Sequence, residues 1–391
     1  MIALCAALFS CLPGPAADAA PSIHFDKRPA FGERGAASPA EATRAKSGMA
    51  ADELEERARD AAARALAWIA KEQDPDGSFS STGVAGGASR AEAAGHAPVA
   101  TTALCALAWM AGGATPGRGE HGARLAKSIE WLVACCDRDP SSPRRGWISR
   151  PGDLVSRMHG HCYATLALAQ AWSMSRKDDL GARVEGALRE ALDLLLRAQG
   201  VEGGWWYEPE RGGGHESSLT VCAVQALRGA RDVGVAVDAA VVERALAYLR
   251  RTRREDGAFA YAIGDKQVSV ALTAAGIGVL QNAGTYSGAD LRQGHDWIAR
   301  ALALRRTPDA PEAARLVVCP RYEALYLAQA LWQLEDRAPW LEWRRAELSA
   351  ALARQAEDGR FRDERFGDAY ATSMEALVLL LPAGLLPAFQ R

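Results

Sequence analysis

The chain has 391 residues, 49% of them hydrophobic and 24% charged, with a net charge of −2. That is a globular composition, and it carries neither the basic excess nor the charge runs of a nucleic-acid-binding protein, so no nucleic-acid partner is expected. Eight cysteines are present, none in a C-x-x-C pair, which argues against a zinc ribbon or a disulfide scaffold.

Residues 2–12 form an apolar run, followed by Pro13, Gly14, Pro15 and the small triplet Ala17-Asp18-Ala19. This is the shape of an h-region with a cleavage site, so residues 1–19 read as a signal peptide. An exported bacterial protein, periplasmic or secreted, is the expectation. No Lys or Arg precedes the run, and Leu8-Phe9-Ser10-Cys11 loosely resembles a lipoprotein box, which makes lipid anchoring the alternative. Residues 20–51 are rich in Pro, Ala, Gly and Ser without apolar periodicity and read as a mobile linker. The folded domain is expected over 52–391.

From residue 52 onward one unit recurs. Gln73, Gly77 and Phe79 are spaced like Gln199, Gly203 and Trp205, and like Gln355, Gly359 and Phe361; Gly257 and Phe259 repeat the end of the unit with Arg253 in the Gln place. A helix precedes each unit and an Ala/Leu-rich helix follows it. Such self-similarity decides the fold before any single element does. Glycine tolerates the positive φ needed where the first helix stops, Gln satisfies backbone groups left open there, and the aromatic buries a large face.

Six helix pairs follow in chain order, turning near Gly77, Gly146, Gly203, Gly257, residues 308–311 and Gly359. The second helices, such as TTALCALAWMA and SLTVCAVQAL, are apolar on nearly every side and must be enclosed. The first helices, such as ALREALDLLLRAQ, carry Arg/Glu faces and must meet water. Six inner and six outer helices in alternation predict an all-α fold, an α/α toroid (α6/α6 barrel), expected here as a monomer. Cys105 and Cys222 fall inside inner helices, where a thiol behaves as a small hydrophobe.

The Gln-x-x-x-Gly-x-aromatic unit followed by an Ala/Leu-rich helix resembles the repeat of the terpene cyclase and protein prenyltransferase superfamily, over residues 61–381. The resemblance implies the toroid and, in its best-known members, isoprenoid chemistry, although the same toroid also hosts lyases and thioester proteins. The family's catalytic motifs are missing. No Asp-x-Asp-Asp run exists; Asp137, Asp139, Asp178 and Asp179 read as solvated charge. At Asp368-Ala369-Tyr370 a Tyr stands where the zinc-binding subunits have Cys, and the His-bearing start Met158-His159-Gly160-His161 lies in a hairpin not adjacent to it. The thioester Cys-x-Glu-Gln is also absent.

What remains is a ring of polar inner-helix starts: Thr101 and Thr102; His159, His161 and Tyr163; His215, Glu216 and Ser217; Lys266, Gln267 and Ser269; Arg321, Tyr322 and Glu323; Asp368 and Tyr370. Inner N-termini of a toroid open on one rim, so these side chains are expected to converge on a mouth beside the positive ends of helix dipoles. The candidate ligand-binding set is His159, His161, Tyr163, His215, Glu216, Arg321, Tyr322, Asp368 and Tyr370, for a small polar or anionic ligand. Capping is the plain reading of Thr101, Ser217 and Asp368. No cofactor is expected, with zinc on His159 and His161 as the metal alternative. Trp205-Trp206-Tyr207-Glu208 suggests a sugar platform, against which Trp205 is already required by the repeat. Residues 376–389, broken by Pro382 and Pro387, are too short to span a bilayer and read as the last inner helix with a packed tail. Three functions stay open: an isoprenoid-active cyclase or transferase, an exported binding protein, and a carbohydrate-active lyase or hydrolase.

Overall fold

Alternating water-facing and all-apolar helices have one economical arrangement, a ring within a ring, and the protein adopts it. The computed structural model describes residues 24–25, 48–80, 97–151, 153, 155–175, 178–212, 214–284, 288–307 and 319–389. The expected signal peptide lies outside the described residues, as does the turn of the fifth hairpin. Of the expected linker, His24–Phe25 (β1) pairs antiparallel with Val235–Ala236 (β2), and the first helix begins within the linker, at Gly48.

Twelve helices are found among the described residues. The outer ones are α1 (Gly48–Glu72), α3 (Gly122–Ala134), α5 (Asp179–Ala198), α7 (Ala239–Thr252), α9 (Ala289–Arg305) and α11 (Ala338–Arg354). The inner ones are α2 (Pro98–Ala111), α4 (Arg157–Met174), α6 (Ser217–Asp232), α8 (Val270–Asn282), α10 (Pro320–Trp332) and α12 (Asp368–Leu380). Each inner helix packs on the next, and α12 packs on both α2 and α1, which closes the ring.

The repeated unit is the fastener between hairpins. Gln199 donates from Nε2 to Gly203 O in its own turn (2.9 Å) and to Val241 O on the following outer helix (2.9 Å). Gln73 does the same to Gly77 O and Arg124 O, and Gln355 to Gly359 O and Ala61 O, so the last hairpin is fastened to the first. Gly203 (φ +93°) lies so close to the following outer helix that a Cβ would sit 2.3 Å from Arg244 O; at Gly359 (φ +98°) it would sit 2.5 Å from Arg64 O. Glycine is needed for conformation and for approach alike.

The aromatic of each unit points under its own inner helix, and a threonine there receives its backbone N–H. The pairs are Phe79 to Thr102, Trp205 to Thr220, Phe259 to Thr273 and Phe361 to Thr372, at 2.9–3.2 Å. All four aromatics are fully buried. In the second hairpin the equivalent bond runs from Ile148 N to Nδ1 of His161 (3.2 Å), so His161 occupies the threonine's place.

Side chains cross the barrel interior. Although α8 stands between α6 and α10 in the ring, hydrogen bonds cross from one to the other: Tyr326 Oη to Gln225 Oε1 (2.8 Å) and Gln225 Nε2 to Gln329 Oε1 (2.7 Å). Cys222 Sγ lies 3.6 Å from Tyr326 Oη. The tail after α12, with short 3-10 turns at Leu381–Ala383 and Pro387–Phe389, contacts α10 and α6 and buries Leu386, Ala388 and Phe389. Cys105, Cys135, Cys136, Cys162 and Cys222 are buried free thiols, and Cys319 is a half-buried one. No helix among the described residues is long and apolar enough to cross a membrane.

Candidate functional site

The inner N-termini do meet on one rim, but they do not form one uniform ring of ligands. Between α4 and α6 the rim is polar and connected. His159 Nε2 lies 3.1 Å from Ser218 Oγ, Ser218 Oγ donates to Glu216 Oε1 (2.8 Å), and Glu216 Oε1 is 3.9 Å from His159 Nε2. The backbone N–H groups of Ser218 and Leu219 also donate to the Glu216 carboxylate, at 2.8 and 2.7 Å. Glu216 thus caps α6.

A glutamate in this position calls for a reason beyond capping. Ser, Thr, Asp and Asn are the preferred caps, and Ser269 caps the neighbouring α8 with a single bond to Leu272 N. Glu216 does the same work at 0% exposure, where a charge costs far more than a hydroxyl. Burial pushes its carboxyl up to about 7, against the opposing pull of the Ser218 and Leu219 donors. Burial likewise lowers His159 to about 4, so that the imidazole stays neutral. The pair therefore sits near the protonation change of an acid beside a neutral base.

Tyr207 forms the outer wall of this group. Its ring is tilted against His159 (centroids 5.9 Å apart), its hydroxyl meets Tyr261 Oη (2.8 Å), and its carbonyl accepts from Met158 N. Trp206 packs edge-on to Tyr207, whereas Trp205 is fully buried and bonded through Nε1 to Leu195 O (2.9 Å). Trp205 is thus the repeat's packing aromatic, and only Trp206 and Tyr207 reach the rim. Glu208 is held by Arg144 (3.5 Å) and Arg157 (3.7 Å).

The other candidates separate from this group. His161 is fully buried: Nδ1 accepts from Ile148 N, Nε2 donates to Ala191 O (3.2 Å), and the ring stacks on Trp147 at 5.3 Å. Both nitrogens are used by backbone, and burial lowers the ring to about 3, so the alternative of zinc on His159 and His161 finds no free nitrogen on His161. Among the described residues no three His, Cys, Asp or Glu side chains converge as a metal-binding group. His215 turns to Tyr248 Oη on α7 (3.1 Å).

Tyr163 and Tyr322 gather around Cys222 beside Tyr326 in the interior, where burial raises their phenols well above the ordinary value. Tyr370 is raised by burial too, and packs on Phe366 at 5.1 Å. Arg321 reaches sideways to Glu375 of α12, and Asp368 accepts from Asp363 N (3.1 Å) in the turn before α12. The expected caps fail for a simple reason: Thr101 lies inside α2, and Ser217 and Asp368 are the first residues of their helices rather than the residues before them. Ser217 Oγ instead donates to Ala260 O (2.7 Å).

One part of the site is not evident from the sequence: Ser218 bridges His159 and Glu216, while Tyr207, part of the aromatic row read there, covers them. Ser218 lies two residues after Glu216, but a hydroxyl next to a cap has many uses. Gln170, Gln225 and Gln329 share a local pattern, Gln-Ala followed by Trp or Leu within an inner helix.

No protein-family profile and no curated protein sequence matches the chain. Solved structures do match in fold. The type II terpene cyclase MstE from Scytonema, in its apo form, is 16% identical with a TM-score of 0.53, covering 85% of this chain and 100% of the cyclase. The GH76A α-1,6-mannanase from Salegentibacter sp. HEL1_6 is 10% identical with a TM-score of 0.57, covering 84% and 99%. A D-mannose isomerase is 13% identical with a TM-score of 0.58, covering 88% and 99%. The chain therefore shares the α/α-toroid fold with isoprenoid- and carbohydrate-related proteins alike.

Proposed function

We infer that the protein binds a small, neutral, hydroxyl-bearing molecule at the mouth between α4 and α6 and exchanges a proton with it through His159, Ser218 and Glu216. The observation that carries this reading is the fully buried Glu216, joined to the partly exposed His159 by one serine hydroxyl.

The hydrogen-bond directions define the relay. Ser218 gives its hydroxyl proton to Glu216, so it accepts from His159 Nε2–H, which leaves Nδ1 of His159 as an unprotonated acceptor. When a ligand proton reaches Nδ1, the Nε2 proton passes to Ser218 Oγ and the Ser218 proton to Glu216. The imidazole changes tautomer without becoming a cation, which suits a ring that burial holds neutral. Glu216 can accept this proton only when ionised, which burial confines to about pH 7 and above; below that its protonated carboxyl is the donor for the reverse transfer.

Of the polar and anionic ligands expected, a neutral one is favoured, because a second negative charge beside a buried carboxylate is repelled. The cross-axis contacts of Tyr326, Gln225 and Gln329 take up room between α6 and α10 inside the barrel, which favours a compact ligand over an extended isoprenoid chain. A two-carboxylate glycoside hydrolysis needs a second carboxyl on the opposite side of the substrate. Glu208, which follows Tyr207, is exposed and committed to two arginines. Export, with a periplasmic or secreted location, belongs to the same proposal and is supported by the apolar run and small-residue triplet at the N-terminus.

The test is a panel of neutral aldoses, ketoses and polyols incubated with the full chain in D2O and followed by NMR. Deuterium uptake at the carbon next to the carbonyl of an aldose or ketose, lost in Ser218→Ala and in His159→Phe, is the expected outcome, with the polyols, which have no such proton, reporting binding only. A panel that neither binds in titration calorimetry nor exchanges, or exchange that Ser218→Ala leaves intact, defeats the reading.

A further inference from the structure

A second cleft lies beside the mouth, between the loop that leads into α4 and the turn that leads into α6, with a volume of about 340 Å³. Clefts that hold small organic ligands begin at about 300 Å³. Its lining sets Arg144, Arg150 and Arg157 against Asp153 and Glu208. Asp153 is already satisfied, since its oxygens accept from the backbone N–H groups of Val99, Val155 and Ser156 at 2.8–3.3 Å. Arg150 is exposed, lies over the Trp131 ring (5.4 Å to its centre) and forms no ion pair among the described residues.

Glu208 occupies the gap between the other two arginines, and it is held loosely. Its Oε2 is 3.5 Å from Arg144 Nη2 and its Oε1 is 3.7 Å from Arg157 Nε. A charge-assisted N–H···O bond closes to about 2.7–2.9 Å. The side chains of Arg144, Arg157 and Glu208 are 47%, 41% and 40% exposed, so a solute reaches all three from water. A surface pair of this length and exposure stabilises little, and a free anion can replace it. Arg144 keeps a closer partner in Glu210 (2.8 Å), which holds its guanidinium in place when Glu208 leaves.

The side chain in the gap shows which headgroup fits there: a carboxylate, one oxygen toward each guanidinium. A carboxylate free of the backbone tether can shorten both contacts and take Arg150 as a third donor, and the planar fork of arginine suits that geometry. Charge balance agrees. With Glu208 swung out, Arg144, Arg150 and Arg157 face Asp153 and Glu210, which leaves one net positive charge for a monoanion to neutralise.

We propose that this cleft binds a small organic carboxylate, which takes the place of Glu208 between Arg144 and Arg157 with Arg150 as the third donor. The site is separate from the relay, because His159, Ser218 and Glu216 do not line it. Tyr207 touches both, its ring 5.9 Å from the His159 ring and 5.9 Å from Arg157 Cζ.

The experiment uses the full chain with benzoate, its neutral isostere benzamide and inorganic phosphate, at one ionic strength, in thermal-shift and calorimetric titrations. Saturable binding of benzoate, none of benzamide and weaker binding of phosphate are expected. Glu208→Gln removes the competing carboxylate and should tighten benzoate about threefold, the equivalent of one surface ion pair. Glu130→Gln removes the same charge from the Arg183 pair outside the cleft and should change nothing. Arg150→Gln breaks no ion pair and should weaken benzoate about tenfold, as for loss of a charged hydrogen bond. No saturable benzoate binding, equal binding of benzamide, tighter binding of phosphate, equal effects of Glu208→Gln and Glu130→Gln, or an unchanged affinity in Arg150→Gln each overturns the proposal.

Discussion

Glu216 and His161 show how two ionisable residues in one kind of place take opposite roles. Both are fully buried at inner-helix starts, but His161 spends its two nitrogens on Ile148 N and Ala191 O, while Glu216 is linked outward to a partly exposed histidine. Replacing His161 by Ala should therefore destabilise the fold by about 2–4 kcal/mol, since two buried backbone groups lose their partners, and should leave ligand binding at the mouth unchanged. Equilibrium urea unfolding and titration calorimetry check the two halves. For Glu216 the prediction is a pH dependence. Its folded carboxyl titrates at about 7 against an ordinary value of 4.5, so the folded state binds the extra proton between those limits. Its contribution to stability is present below pH 4.5 and is lost as the pH rises to 7. His159 and His161, lowered to about 4 and 3, act in the opposite sense, since their neutral forms are lost on acidification. The clean measurement is the difference between wild type and Glu216→Gln across pH 4.5–7, which should fall by roughly 3 kcal/mol with rising pH. A flat difference would mean that the carboxylate is ionised throughout. Glu216→Ala is a poorer variant, because it also removes the cap of α6, at about 1 kcal/mol.

At the scale of elements, the hairpin unit is the part that could be read directly from spacing. Gln199, Gly203 and Trp205 are near one another in sequence, and each does a local job that fixes residue type: reach, positive φ and buried area. Trp205→Ala should cost about 3–5 kcal/mol and Trp206→Ala clearly less, because only the first is fully enclosed and bonded at Nε1. Chemical denaturation midpoints of the two variants decide it, and equal small effects would remove Trp205 from the core. The candidate site was legible only in outline. Helix starts could be located from the apolar runs, but whether a start faces the axis or a neighbour depends on rotation by a fraction of a turn. Arg321 illustrates this: it begins α10 as expected and then points along the ring to Glu375 rather than into the mouth. The glutamine contacts that fill the axis join Gln225 and Gln329, about a hundred residues apart, so no local pattern gives their partner.

The whole molecule adds a constraint that no single hairpin has, which is closure. An open stack of helix pairs leaves two end faces, and stability then sums over neighbours; here the end faces meet. Gln355 fastens the sixth turn to Ala61 of α1, and Arg344 of α11 reaches both Glu55 of α1 (3.0 and 3.1 Å) and the carbonyls of Val378 and Leu379 at the end of α12 (2.8 Å each). Arg344 is 2% exposed, so its loss leaves two carbonyls without a donor as well as breaking the ion pair. Arg344→Ala should then cost about 2–4 kcal/mol, set mainly by those carbonyls. Glu55→Gln should cost less than about 1 kcal/mol, because the glutamate side is 37% exposed and readily rehydrated. The contrast between the two partners of one ion pair locates the energy at the seam rather than in the charge pair. If closure also couples the hairpins, wild type should unfold in a single urea transition by circular dichroism and by tryptophan fluorescence, and Arg344→Ala should separate the two probes. Coincident transitions in the variant, at a midpoint lowered by the predicted amount, would keep the seam as a source of stability but remove it as the source of cooperativity.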